Sequence, residues 1–215
     1  MVVLSLSGGW SRACRLAALL LVAFVAACQT PDPVVVNATF APTADFGARS
    51  PSQVAVLAVE DGTADAERPE RHAARLLTFF RQEVIRQLPG RLFTPISAAA
   101  VDAALTPVAK PAAGQSIVVP ANLQKLAGHA GEDAVFALRV SGWDETSLPV
   151  DKKVWFQVEA MMLGSDGTVL WSGQMNGMVK AGGVGPAPRD REGAARSCVE
   201  LAVREMLNRL PRRTT

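Results

Sequence analysis

The chain has 215 residues, 49% of them hydrophobic, with 22 basic and 20 acidic side chains. Arg12 and Arg15 account for the whole charge surplus, so the 188 residues after position 27 balance 20 basic against 20 acidic groups. That balance excludes a general electrostatic attraction for nucleic acid or anionic lipid, while the length suffices for one domain with its own apolar core.

The first element is an apolar run from Leu16 to Ala27, preceded by Arg12 and Arg15 and followed by Cys28. Basic start, short apolar middle and small-residue end make the three-part layout of a secretory signal. As a membrane span the run is too short: its 12 residues make about 18 Å of helix against a hydrocarbon core of roughly 30 Å. A soluble secretory signal would leave a cysteine at the cut unexplained. Val25-Ala26-Ala27-Cys28 is similar to the lipobox of bacterial lipoproteins. That resemblance implies cleavage between Ala27 and Cys28, with acyl chains such as palmitate on the new first residue. Gln29, where an Asp would resemble an inner-membrane retention signal, favours the outer membrane on its periplasmic face. Cys14 is then lost and Cys28 acylated, which leaves Cys198 alone and no intramolecular disulfide.

Residues 28–50 carry scattered Pro, Asp and Thr without a period and are predicted to be a flexible tether, reaching roughly 70 Å when extended. The domain is expected over 51–211, with 212–215 as a basic tail. Gln53–Glu60 is a valine-rich apolar run suited to a strand buried on both faces. Pro69–Leu88 reads as a helix, with Leu77, Phe80, Val84 and Leu88 inward and Arg71, Arg75, Gln82 and Arg86 outward. Pro89-Gly90 stops it. Leu92–Ile96 is a short strand that Pro95 confines to an edge, and Ser97 can cap a helix to Leu105. Thr106–Pro120 is an irregular connection, Ala121–Ala130 a short helix, and Asp133–Trp143 a further strand.

The next segment predicts a hairpin. Val154, Phe156, Val158, Ala160 and Met162 alternate with Trp155, Gln157, Glu159, Met161 and Leu163. Asp166-Gly167 offers a two-residue type I′ turn. That loop would pair Ser165 with Thr168, Met162 with Trp171, Val158 with Met175 and Glu159 with Gln174, which keeps the faces unmixed. Ala181–Arg191 is a Gly/Pro loop, and Gly193–Leu210 a helix with Ala195, Cys198, Ala202 and Met206 on one stripe. The string predicts a single α/β (α+β) domain, a mixed sheet of about five strands with helices packed on it.

The lipobox, the V-A-V-L-A-V strand with its polar turn, E-D-A-V-F-A-L-R-V and D-G-T-V-L-W-S-G together resemble a family of periplasmic lipoproteins of unknown function. The resemblance spans roughly Asp45 to Gly173 and implies a fold like the N-terminal domain of TolB. CsgG, the curli secretion lipoprotein, and LpoB, an activator of peptidoglycan synthases, look like more distant architectural relatives. Glu60-Asp61-Gly62-Thr63 departs from the Pro- and Asn-rich loop of such lipoproteins, and so does the proline-rich 106–120 segment. The family supplies no catalytic residue to carry over, and implies a non-enzymatic role in envelope assembly or transport.

The residues themselves point the same way. His72 and His129 lack the spacing of a metal site, so no metal or other cofactor is expected. Cys198 sits on the inner stripe of its helix, where a thiol behaves as a small hydrophobe. Glu60, Asp61, Asp65 and Glu67 follow a strand end, where ligands bind in open sheets, but Gly62 and Thr63 fit an ordinary turn and Glu67 a helix start. Arg71, Arg75 and Arg86 form a basic helix face, with Glu67 placed to pair with Arg71. Trp155 and Met161 project away from the expected core. They become a contact patch unless a helix covers them. The reading is a lipid-anchored protein, not an enzyme, whose partners are the membrane and other envelope proteins, with a homo-oligomer possible and no nucleic acid. The rivals are a CsgG-like pore subunit, for which the chain lacks enough long alternating strands, and a peptidoglycan- or ligand-binding module that regulates a cell-wall enzyme.

Overall fold

The computed structural model describes residues 34–63, 70–108, 115–182 and 188–213. Residues 1–33, with the signal, Ala27 and Cys28, lie outside the described residues, as do Asp65 and Glu67 and the side chains of Arg71 and His72. In chain order the elements are β1 (Val34–Ala38), β2 (Ala41–Pro42), α1 (Asp45–Arg49), β3 (Gln53–Val56), β4 (Glu60–Asp61), α2 (Glu70–Gln87), β5 (Thr94–Pro95) and α3 (Ala98–Leu105). Then follow α4 (Pro120–Leu123), β6 (Ala134–Asp144), α5 (Leu148–Asp151), β7 (Lys153–Gly164), β8 (Val169–Lys180) and α6 (Arg191–Asn208).

These strands make one mixed sheet in the order β1-β8-β7-β6-β3-β5, with β2 also on β8 and β4 also on β6. β3 runs parallel to β5 and β6, and the long β6, β7 and β8 form an antiparallel meander. The α/β expectation holds, but with eight strands among the described residues rather than about five. Two of the extra strands come from the presumed tether. Val34–Ala38 pairs along Val179–Met175, Ala41-Pro42 pairs with Ser172-Trp171, and the Thr43 amide donates to the Leu170 carbonyl. Residues 34–50, expected as tether, therefore belong with the domain expected over 51–211. The proposed basic tail is also tied down as far as Arg213, whose amide donates to the Arg91 carbonyl at 3.0 Å.

The hairpin register is as the alternation predicts: Met162 opposes Trp171, Glu159 opposes Gln174 and Val158 opposes Met175. The turn is different. Gly167 is at φ +86° while Asp166 is not left-handed, so a type I′ pair does not form. Gly164 instead closes a three-residue loop, accepting from Gly167 N and donating to Thr168 O. A register shift between Met162 and Leu163 then absorbs the extra residue. Glycine takes the one left-handed position such a loop demands.

One face of the sheet is packed by α2 and α6. Phe80 and Val84 of α2, and Leu88 just after it, are buried as expected, while Leu76 rather than the partly buried Leu77 completes the inner row. Ala195, Cys198, Ala202 and Met206 of α6 are buried as the stripe predicts. Asp190 caps that helix by accepting from Gly193 N, so α6 starts at Arg191 rather than Gly193. Ser97 caps α3 as expected, accepting from Ala100 N. On the opposite face Val101, Leu123 and Leu126 cover Ala55, Leu57, Val135, Ala137, Met161 and Leu163. β3 is thus buried on both faces, the reason its run is continuously apolar. This second cover stops partway across the sheet, and where it stops decides the exposed surface.

Candidate functional site

On the outer face, the residues opposite Trp155 across the strands are Met178 of β8 and Asp144 of β6, and Met178 in turn faces Val35 of β1. Trp155 is 42% exposed, Met178 43% and Val35 70%. Three adjacent strands therefore present a contiguous apolar row to solvent. Lys153 and Lys180, paired across β7 and β8, border it on one side, and the Gln157–Asn176–Asn37 row borders it on the other. Gly142 seats the tryptophan: a Cβ there would lie 2.5 Å from the indole, so the ring rests against bare backbone. The register shift between Val140 and Gly142 in β6 brings that glycine under the ring. A glycine inside a strand run, S-G-W, is the sequence signal for such an approach.

A polar seam separates this open half from the covered half. Arg139 lies between Glu60 (3.4 Å) and Glu159 (3.9 Å). Glu60 also accepts from Ser116 Oγ and Ile117 N. Glu60 thus fastens the segment that closes the second core, and Asp61 accepts from the Thr63 amide and hydroxyl. Both acids thus hold neighbouring segments of the fold in place.

The expected contact residues do not come together. Trp155 is exposed, but Met161 is buried under the second layer. Arg75 and Arg86 belong to α2, on the other side of the sheet. Arg75 pairs with Glu192 at 2.9 Å, and Arg86 pairs with Glu83 and Glu200, so both tie α2 to α6 or to itself. Arg71 and its proposed partner Glu67 lie outside the described side chains. Sequence reasoning missed Met178 and Val35, because the pattern of one strand does not reveal its neighbours.

Two polar groups serve the fold, Glu145 buried and Arg81 partly buried. Glu145 accepts from Trp143 Nε1 at 2.8 Å and from Arg191 Nε and a terminal nitrogen at 3.0 and 2.8 Å, holding the start of α6 against β6. Arg81, which the helix pattern did not single out, donates to the Val56 carbonyl and to both oxygens of Asp102, linking α2, β3 and α3. His129 is exposed, its Nε2 3.1 Å from the Lys125 carbonyl. Among the described residues, no three His, Cys, Asp or Glu side chains are grouped as metal ligands, and no helix is long and apolar enough to cross a membrane.

Cys198 is fully buried, its Sγ 3.8 Å from the Val179 carbonyl. Burial, with the Glu145 charge second, pushes its thiol up to about 12. Unfolded, a thiol ionises near pH ~8.5. Between those values the native state keeps a proton that the unfolded chain loses, so stability falls as pH rises, by about 1.4 kcal/mol per unit. Urea unfolding from pH 9 to 11 is expected to show an alkaline loss that Cys198→Ala reduces. An unchanged slope in that variant would show that another group is responsible.

No protein-family description matches the chain, and neither does any curated protein. Solved structures with a similar fold include the PelC dodecamer of Paraburkholderia phytofirmans (12% identity, TM-score 0.47, covering 84% of this chain and 100% of that one). Others are lipoprotein GNA1162 of Neisseria meningitidis (18%, 0.45, covering 74% and 99%) and the LpoB C-terminal domain of Escherichia coli (19%, 0.36, covering 60% and 82%). At these scores the likenesses carry no argument about function.

Proposed function

We propose that this is an outer-membrane-anchored periplasmic lipoprotein that acts non-enzymatically, through protein contacts, in envelope assembly or transport. The observation that carries the reading is the Val35–Met178–Trp155 row. It starts within seven residues of Cys28, on the strand that continues the anchor. A rigid tryptophan flanked by a methionine and a valine supplies the large, preformed apolar area that anchors protein interfaces. The polar rim around it suits a surface that is wet when unoccupied. The partner that fits is another envelope protein, held at the membrane by its own anchor or by this one.

The test is a photo-crosslinking amino acid at position 155 in intact cells, in the natural chain and in Cys28→Ser. A discrete crosslinked species is expected with Cys28 and not with serine, with position 205 on α6 as the negative control. Equal crosslinking from 155 and 205, or the same pattern after Cys28→Ser, would remove the reading.

A further inference from the structure

On the far side of the molecule from Trp155, the ends of α2 and α6 enclose a second feature. Arg86 and Gln87 close α2, Gly90 and Arg91 form the 3-10 turn after it, Arg204 and Asn208 stand on the last turns of α6, and Arg212 follows that helix. Together they line a cleft of about 340 Å³. The turn exists because Pro89-Gly90 ends the helix. Arg212 is held beside the cleft because the next residue is pinned twice, its amide to the Arg91 carbonyl at 3.0 Å and its Nε to the Ser50 carbonyl at 3.4 Å.

Four guanidinium groups gathered in one cleft need an account. Arg86 has one, since Glu83 and Glu200 pair with it. Arg91 donates to the neutral Asn208 Oδ1 at 3.1 Å. Among the described residues no carboxylate pairs with Arg91, Arg204 or Arg212 within 4.0 Å. Arginines do favour helix C-termini, but each terminus carries only about half a negative charge. With Glu83 and Glu200 counted as well, two such ends still leave the cleft with a net positive charge. In keeping with that, burial first and the neighbouring Arg212 charge second lower the Arg91 guanidinium from its ordinary value.

We propose that this cleft binds a phosphate-bearing anion, with Arg91, Arg204 and Arg212 as its principal donors and Asn208 and Gln87 beside them. A carboxylate occupies one arginine fork, whereas a phosphate offers enough oxygens to engage several at once. The volume is roughly ten times that of a water molecule in the liquid, room for the phosphate and part of the group it is attached to. A phospholipid headgroup and a free phosphate compound share this chemistry. The site is independent of the Trp155 surface and of the anchor.

The test uses the purified full chain in detergent and calorimetric titration with inorganic pyrophosphate. The natural chain should bind saturably at millimolar or lower concentration. Arg204→Gln/Arg212→Gln should weaken binding by roughly ten- to a hundredfold, with Arg75→Gln, a paired surface arginine remote from the cleft, unchanged. If the double variant does not fold by thermal melting, Arg212→Gln alone carries the test, with a loss of several-fold. Dihexanoyl phosphatidic acid identifies the source: tighter binding than pyrophosphate supports a headgroup, weaker binding a free phosphate. No saturable binding of either probe, or an equal loss in Arg75→Gln, would overturn the proposal.

Discussion

Replacing Trp171 with alanine is expected to cost about 3–5 kcal/mol, the range for removing a fully buried large aromatic side chain. Trp171 is completely buried and stands where the three least local parts of the fold meet. Its ring stacks on Phe40 at 4.4 Å and 9°, and on Phe136 at 5.9 Å and 24°. Its Nε1 donates to the Arg209 carbonyl at 3.2 Å. One side chain thus clamps the N-terminal segment, the central strand and the end of α6. Against a typical total of 5–15 kcal/mol, such a loss leaves a barely stable domain. Trp171→Phe keeps the stacking and drops the hydrogen bond, so it should lose much less, about 1 kcal/mol for the bond itself. Urea unfolding of both variants decides the matter. A Trp171→Ala variant within 1 kcal/mol of the natural chain would mean that the three segments are held by something else.

The second large effect is expected at Gly177, which faces Val36 of β1 across the ladder. A Cβ built there lies 2.2 Å from the Val35 carbonyl oxygen and 2.7 Å from Val36 Cα. Both obstacles are backbone, so neither can swing aside as a side-chain tip would. Gly177→Ala must therefore push β1 off β8 or strain the pair, at a cost of about 1–3 kcal/mol for overpacking. The damage should be local. Amides of Val34–Ala38 are expected to lose hydrogen-exchange protection while those of β6 and β7 keep theirs, because edge pairing opens separately from the centre of a sheet. The crosslink from position 155 should weaken in the same variant, since Val35 belongs to the row. Full protection of β1 in Gly177→Ala would show that the strand has room to spare.

Much of this molecule is written in its local pattern. The alternation over 154–163 and the two-sided apolar run at 53–57 report which faces are dry, and a period of two or a continuous run follows directly from that. The same logic places Cys198 inside α6 and Ser97 at the start of α3. The hairpin register survived a wrong turn type because the strands had a face to keep, and one bulge could absorb the mismatch.

What the tertiary structure alone decided are the pairings between distant segments. Val34–Ala38 reads as part of a tether because five residues bounded by prolines and polar groups carry too little pattern. They become a strand because β8, nearly 140 residues later, presents an unpaired edge with glycines cut to receive them. Alternation marked Trp155 and Met161 as facing one side, yet it could not say that α3 and α4 cover one and leave the other open. That outcome depends on how far the second layer reaches across the sheet. The arginine cleft is the same case: residues 86, 91, 204 and 212 are unremarkable cations until two helix ends and a pinned C-terminal segment bring them together. Periodicity records the polarity of a segment's own faces, whereas its neighbours are settled only when the whole chain packs.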